Sequence, residues 1–111
     1  MSVVIVGDRV SEADLAVAKE DYGDYIKFVV DVETWKLAIG GEWHVDAEKV
    51  LLENGSRQDN LWGGGINLVS KEIDFKSLIN TRPNFNNSQE VIDEKIRHRM
   101  SEIVRTKFGY E

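Results

Sequence analysis

Tyr25-Ile26-Lys27-Phe28-Val29-Val30-Asp31-Val32-Glu33, followed after Thr34-Trp35 by Lys36-Leu37-Ala38-Ile39-Gly40-Gly41-Glu42-Trp43-His44, is the stretch that decides the fold. Ile26, Phe28, Val30 and Val32 alternate along the first run, and Leu37, Ile39 and Trp43 fall on one face of the second. Such a period of two marks half-buried strands. A tight turn at Thr34-Trp35 then predicts Val32 opposite Leu37, Val30 opposite Ile39, Phe28 opposite Gly41 and Ile26 opposite Trp43. A slip by one position would bury charge, so the parity of the pairing is well specified. Thr-Trp suits a left-handed turn poorly, which leaves a looser four-residue connection as the alternative.

The opposite face of this hairpin carries Lys27, Val29, Asp31 and Glu33 against Ala38, Gly40, Glu42 and His44, with Lys27 expected across from Glu42 and Asp31 across from Ala38. Small residues beside a carboxylate leave room, and glycine inside a strand often marks the close approach of another group. This face is therefore the first place to look for a site. A plain solvated face is the ordinary alternative.

Working outward, Val3 to Val6 is a short apolar run with no polar face, expected as a central strand. Ser11 with Asp14, and Val10 with Leu15, form a capping box and a hydrophobic staple for a helix that stops at Gly23. Asp46 is placed to cap a second helix over Ala47 to Glu53, ended by Asn54-Gly55. Gly63-Gly64-Gly65 is expected to break regular structure, with Ile66 to Val69 and Ile73 to Ile79 as further sheet segments. Pro83 opens an Asn-rich loop. A final helix starts at about Gln89 or Asp93 and runs to Phe108, with Ile96, Met100, Ile103, Val104 and Phe108 as its apolar stripe. The order β-α-β-β-α-β-β-α gives an α+β fold with a mainly antiparallel sheet of 4–5 strands and helices largely on one face. A split βαβ, ferredoxin-like arrangement with additions is the leading topology.

The 111 residues make one domain with a real core, spanning 1–111. No cysteine is present, so disulfides and thiolate metal sites are excluded. The N-terminal run is too short and uncharged for a signal peptide, and no stretch is long enough to span a bilayer, so a cytoplasmic protein with no membrane association is expected. Net charge is −6; residues 1–64 hold 13 acidic and 6 basic side chains, residues 65–111 hold 7 and 8. That balance argues against a nucleic-acid surface and allows a homodimer or another protein partner.

Glu42, His44 and Asp46 alternate, so an extended backbone would place them on one side beside Asp31. Carboxylates with an imidazole suit a divalent cation such as Ca²⁺ or Mg²⁺, and Asp31, Glu42 and His44 are the expected ligands, with Asp59 joining them if its loop returns over the hairpin. His44 could also serve as a base beside Glu42 or Asp31 in a small hydrolase or isomerase. The glycine run matches neither the P-loop nor the dinucleotide fingerprint.

Val29-Val30-Asp31-Val32-Glu33, Ala38-Ile39-Gly40-Gly41-Glu42, Asp46-Ala47-Glu48, Leu51-Leu52-Glu53-Asn54-Gly55-Ser56, Gln58, Leu61-Trp62-Gly63, Ile66-Asn67-Leu68 and Asp74 to Pro83 resemble a family of small prokaryotic proteins catalogued only as a domain of unknown function. The resemblance spans roughly residues 25–105. It implies no reaction, and it places Asp31, Glu42, His44, Gln58 and Asn67 in the family pattern. Read together, these features favour a non-enzymatic binding or interaction module without a required cofactor, with Asp31, Glu42, His44, Gln58, Asp59 and Asn67 as ligand-binding residues. A divalent-cation protein and a His44-dependent enzyme are the alternatives. Trp35, at the expected hairpin tip, and Leu52 are the residues to watch for dimer contacts.

Overall fold

A computed structural model describes residues 3–110. It contains strands β1 (Val3–Val6), β2 (Tyr25–Asp31), β3 (Leu37–Gly40), β4 (Leu61–Asn67) and β5 (Ile73–Asp74), and helices α1 (Glu12–Tyr22), α2 (His44–Glu53) and α3 (Glu94–Phe108). Single 3₁₀ turns at Gln58–Asn60 and Leu78–Asn80 complete the chain. The fold is α+β, and the elements follow one another in the expected order. All neighbours in the sheet are antiparallel, and the strand order is β1-β3-β2-β4-β5.

The first half is a split βαβ unit, since β1 and β2 run parallel with β3 inserted between them. The second half departs from a ferredoxin-like order, which would bring β4 beside β1; here β4 joins β2. Both crossovers, β1-α1-β2 and β3-α2-β4, step in the same lateral direction from strands that point in opposite directions. Crossovers of the same hand then put their helices on opposite faces. The core divides accordingly. Ala18 of α1 and Met100, Ile103 and Val104 of α3 pack with Phe28, Val30, Leu37, Ile39, Trp62 and Ile66 on one face. Ala47 and Leu51 of α2 pack with Val29, Ala38 and Leu61 on the other. Two of the three helices thus share a face, and α2 covers the hairpin face that alternation alone would leave in solvent.

The hairpin keeps its parity but not its register. Val30 pairs with Leu37 and Phe28 with Ile39, two positions away from the tight-turn pairing. The cause is Asp31, whose Oδ1 accepts the backbone N–H groups of Glu33 and Thr34, both at 2.9 Å. An Asx turn of this kind competes with the ladder and opens a longer connection. Trp35 closes that connection at φ 69, in the left-handed region. Its ring is partly buried against the main core, which offsets a backbone cost of about 1–2 kcal/mol. Trp35 is therefore a core residue and not an exposed tip.

Local signals at the helix ends behave as the sequence suggests, with one exception. Ser11 and Asp14 form the reciprocal capping box of α1 at 3.0 Å each. Asp93 caps α3, and Gly109 ends it in the left-handed conformation. Helix α2, however, starts three residues before the expected point. Asp46 sits at its third position and accepts the Trp43 backbone N–H at 3.4 Å, so His44 belongs to the first helical turn and not to a strand. Strand β1, expected at the centre, lies at the sheet edge; its apolar character reflects burial on both faces, with Val3 against the α2 side and Val4 against the α1 side.

The largest correction concerns Gly63-Gly64-Gly65. These residues form the middle of β4, opposite Val29, Phe28 and Lys27 of β2. None of the three has a positive φ, so backbone freedom is not what glycine supplies there. Space is. A methyl on Gly63 would lie 2.8 Å from Ser77 Cβ, one on Gly64 would lie 2.8 Å from Phe28 Cζ and strike the Asp74 carbonyl, and one on Gly65 would strike the Tyr25 hydroxyl. Gly64→Ala should therefore cost about 3 kcal/mol through overpacking, whereas Gly7→Ala, with nothing near the added methyl, should stay within about 0.5 kcal/mol of wild type. Urea unfolding of the two variants checks both figures.

Candidate functional site

The absence of side chains at Gly63, Gly64 and Gly65 of β4 lets neighbouring side chains lie flat against the sheet. Gly63 and Gly65 face the α2 side, where Ser77 and His44 rest over the first and Tyr25 over the second. Around them opens a groove with a cavity volume of about 400 Å³. Tyr25, Lys27, His44, Asp74, Lys76, Ser77, Gln89 and Glu90 make its polar lining, and Trp43, Val45, Leu78 and Ile79 make its apolar walls. Trp43 is 58 %, Val45 57 % and Leu78 71 % exposed, so three large apolar side chains stand at one opening. Pockets that hold small organic ligands combine such walls with a few fixed polar groups.

Tyr25, His44 and Lys27 each have an identifiable anchor. Tyr25 donates its hydroxyl proton to Asp74 Oδ2 at 2.7 Å. Burial, and then the bond to the Asp74 carboxylate and its charge, push the phenol well above its usual range, so it stays protonated. His44 Nε2 lies 2.7 Å from the Gly64 carbonyl oxygen, which fixes the tautomer with the proton on Nε2. Burial lowers the His44 pKa, the Lys27 charge adds to this, and the Gly64 bond opposes it. The imidazole is therefore held neutral. Lys27 Nζ donates to the Glu42 carbonyl at 2.8 Å and sits over the rings of Tyr22 (5.0 Å) and Trp43 (5.4 Å).

The loop that carries Ser77 is held by Asn80, which is fully buried. Its Oδ1 accepts the Gly63 N–H at 2.8 Å and its Nδ2 donates to the Gly63 carbonyl at 2.9 Å, so one amide side chain replaces a strand beside β4. The same Nδ2 lies within bonding distance of the Phe75 and Gln89 carbonyls. Asn86 ties the following loop in the same manner, donating to Asn80, Ser88 and Glu90 carbonyls.

The residues expected from sequence do not assemble into one pocket. Asp31 is completely buried at one end of β2, where it accepts from the Ser56 hydroxyl at 2.7 Å as well as from the turn. Glu42 is exposed in the connection before α2, beside Lys27, which itself lies four residues, about 13 Å, from Asp31 along β2. Gln58 reaches Glu48 at 3.5 Å, Asp59 is exposed with its carbonyl bound by Arg82, and Asn67 caps the turn after β4 by accepting from Val69 and Ser70. Only His44 of that set lines the groove. The alternation of Glu42, His44 and Asp46 carries no common side because the helix begins at His44. Among the described residues, no three His, Asp or Glu side chains converge as a metal site would require. Sequence reasoning missed Tyr25, Asp74, Ser77 and Trp43; the glycine run was the signal that could have found them, read as room for neighbours.

A model of the family described as protein of unknown function (DUF5674) matches residues 4–107. The chain belongs to this family. The DUF5674 match reaches back through α1 and β1 and takes in every groove residue from Tyr25 to Glu90. No curated protein and no solved structure matches this DUF5674 chain. No helix among its described residues is long and apolar enough to cross a membrane.

Two titrations follow from this geometry. Because the His44 pKa is lowered in the fold, its contribution to stability is complete above the unfolded value of about 6.5 and is lost as pH falls through it. Wild type should lose more stability between pH 7.5 and 5.5 than His44→Gln, as read by urea unfolding at the two pH values. For Asp31, burial raises the pKa but is outweighed by the bonds from Ser56, Thr34 and Glu33, so the net shift is downward. Its contribution is present above about 3.8 and lost as pH falls further. Ser56→Ala should cost about 1.5–3 kcal/mol at pH 7, the range for a hydrogen bond to a buried charge.

Proposed function

We propose that this protein is a non-enzymatic binding module whose ligand is a small, largely apolar molecule held in the groove between α2, β4 and the Asp74–Ile79 segment. The observation that carries this reading is the pairing of three exposed apolar side chains, Trp43, Val45 and Leu78, with a preformed polar base on the glycine strand. Exposed apolar side chains scattered singly need no explanation, but a cluster around a concavity is what a ligand covers.

The polar groups support binding over catalysis because they are tied to one another. His44 Nε2 is committed to the Gly64 carbonyl, Tyr25 to Asp74, and Ser77 Oγ to the Ile79 N–H at 3.3 Å. With Nε2–H held by the Gly64 carbonyl only Nδ1 could act as a base, and among the described residues no hydroxyl is hydrogen-bonded to His44. The base is rigid, and rigidity of this kind lowers the ordering cost of binding.

The test is a thermal-shift screen of the whole chain with small apolar and amphipathic molecules, repeated on Trp43→Ala. A ligand at about a hundred times its dissociation constant should stabilise by about 2.7 kcal/mol, a shift of several degrees at this size. Trp43→Ala should keep the wild-type circular dichroism and lose that shift. Shifts that survive Trp43→Ala would contradict the proposed seat.

A further inference from the structure

The charges around the groove are not equivalent. The Asp74 carboxylate already accepts from the Tyr25 hydroxyl at 2.7 Å and from the Lys76 backbone N–H at 3.2 Å. Lys76 and Glu90 are both exposed to solvent and face each other across an isolated bridge, so water and the opposite charge nearby screen them. His44 is held neutral against the Gly64 carbonyl.

Lys27 differs from all of these. It is half-buried, and its ammonium donates to the uncharged carbonyl of Glu42 while lying over the Tyr22 and Trp43 rings. Among the described residues it makes no ion pair with a carboxylate. A lysine ammonium has three N–H donors, and the Glu42 carbonyl takes one. A positive charge with donors to spare thus stands beside Trp43, at the start of the apolar wall formed by Val45, Leu78 and Ile79.

We infer that the ligand of this groove is a small monocarboxylate with an aromatic or branched apolar body, its carboxylate on Lys27 and its body along Trp43, Val45, Leu78 and Ile79. The inference rests on the groove being the ligand seat and adds the chemistry of what it takes. Lys27 and Lys76 both line the groove, but Lys76 is exposed and sits across from Glu90, so the half-buried Lys27 is the one ammonium set at the apolar wall and matches one negative charge there; a phosphate ester, with its greater charge, calls for further donors beside it. A bicyclic ring with a short acid side chain is within the size that a cavity of about 400 Å³ receives. The ammonium position also disfavours a cationic ligand of the same shape, which gives the groove a repulsive as well as an attractive criterion.

Three probes with one ring system separate the body from the charge: indole-3-acetate, indole and tryptamine, each titrated into the full chain and read from the amide shifts of groove residues by ¹H–¹⁵N NMR. Indole-3-acetate should bind at least about tenfold tighter than indole, and tryptamine should be the weakest. Lys27→Met, which keeps an apolar stem beneath Trp43, should bring indole-3-acetate to the affinity of indole and leave indole unchanged. Equal binding of indole-3-acetate and indole to the wild type would overturn the carboxylate assignment while leaving the groove as the seat. Loss of indole binding in Lys27→Met would also overturn it, by showing that Lys27 only holds the aromatic wall in place. Failure of all three probes to move the groove amides would overturn the assignment together with the seat.

Discussion

Close approach to the three-glycine centre of β4, which carries no side chains, is the constraint on which the rest of this structure depends. Gly63, Gly64 and Gly65 occupy the centre of β4, and on each of them a methyl would collide with a neighbour. Gly64 faces the larger core and makes room for Phe28, whereas Gly63 and Gly65 face α2 and make room for Ser77, His44 and Tyr25. Glycine in a strand ordinarily weakens it, by about 0.5–1 kcal/mol per residue relative to alanine. Here the loss is offset because the freed space is filled by hydrogen-bonded groups: Asn80 on Gly63, His44 on Gly64 and the Tyr25–Asp74 pair above Gly65.

The topology gives that strand its setting. Because β4 joins the sheet beside β2 instead of beside β1, α2 crosses to the face opposite α1 and α3. Its first turn then arrives over the glycines, which is why His44 meets the Gly64 carbonyl and why Trp43 and Val45 stand at the groove opening. A helix N-terminus disfavours positive charge nearby, and burial does the same, so the arrangement keeps the imidazole neutral. Fold and groove are one consequence of where β4 lands.

Much of this was legible from local signals and little from spacing alone. Capping at Ser11, the apolar stripe of α3 and the Gly23 stop act within one or two turns of chain, and a sequence displays them directly. The parity of the β2–β3 pairing was legible for the same reason, since alternation fixes faces. Its register was not, because Asp31 binds the turn it precedes and shifts the pairing by two positions. The glycine run was misread because glycine signals either backbone freedom or lack of volume, and only the packing of residues 25 and 74–77 decides between them. The expected site residues failed to gather for a related reason: Asp31, Asn67 and Asp46 each satisfy nearby backbone N–H groups, as short polar side chains often do.

Native-state hydrogen exchange of the Gly63, Gly64 and Gly65 amides tests the central claim most directly. Gly63 donates to buried Asn80, Gly64 is paired with Phe28 and Gly65 with Asp74, so all three amides should exchange with protection close to that of Val29 and Val30 in β2. Exchange at the rate of an open loop would contradict the account, because a mobile glycine run could neither order the Asp74–Ile79 segment nor hold the floor of the groove.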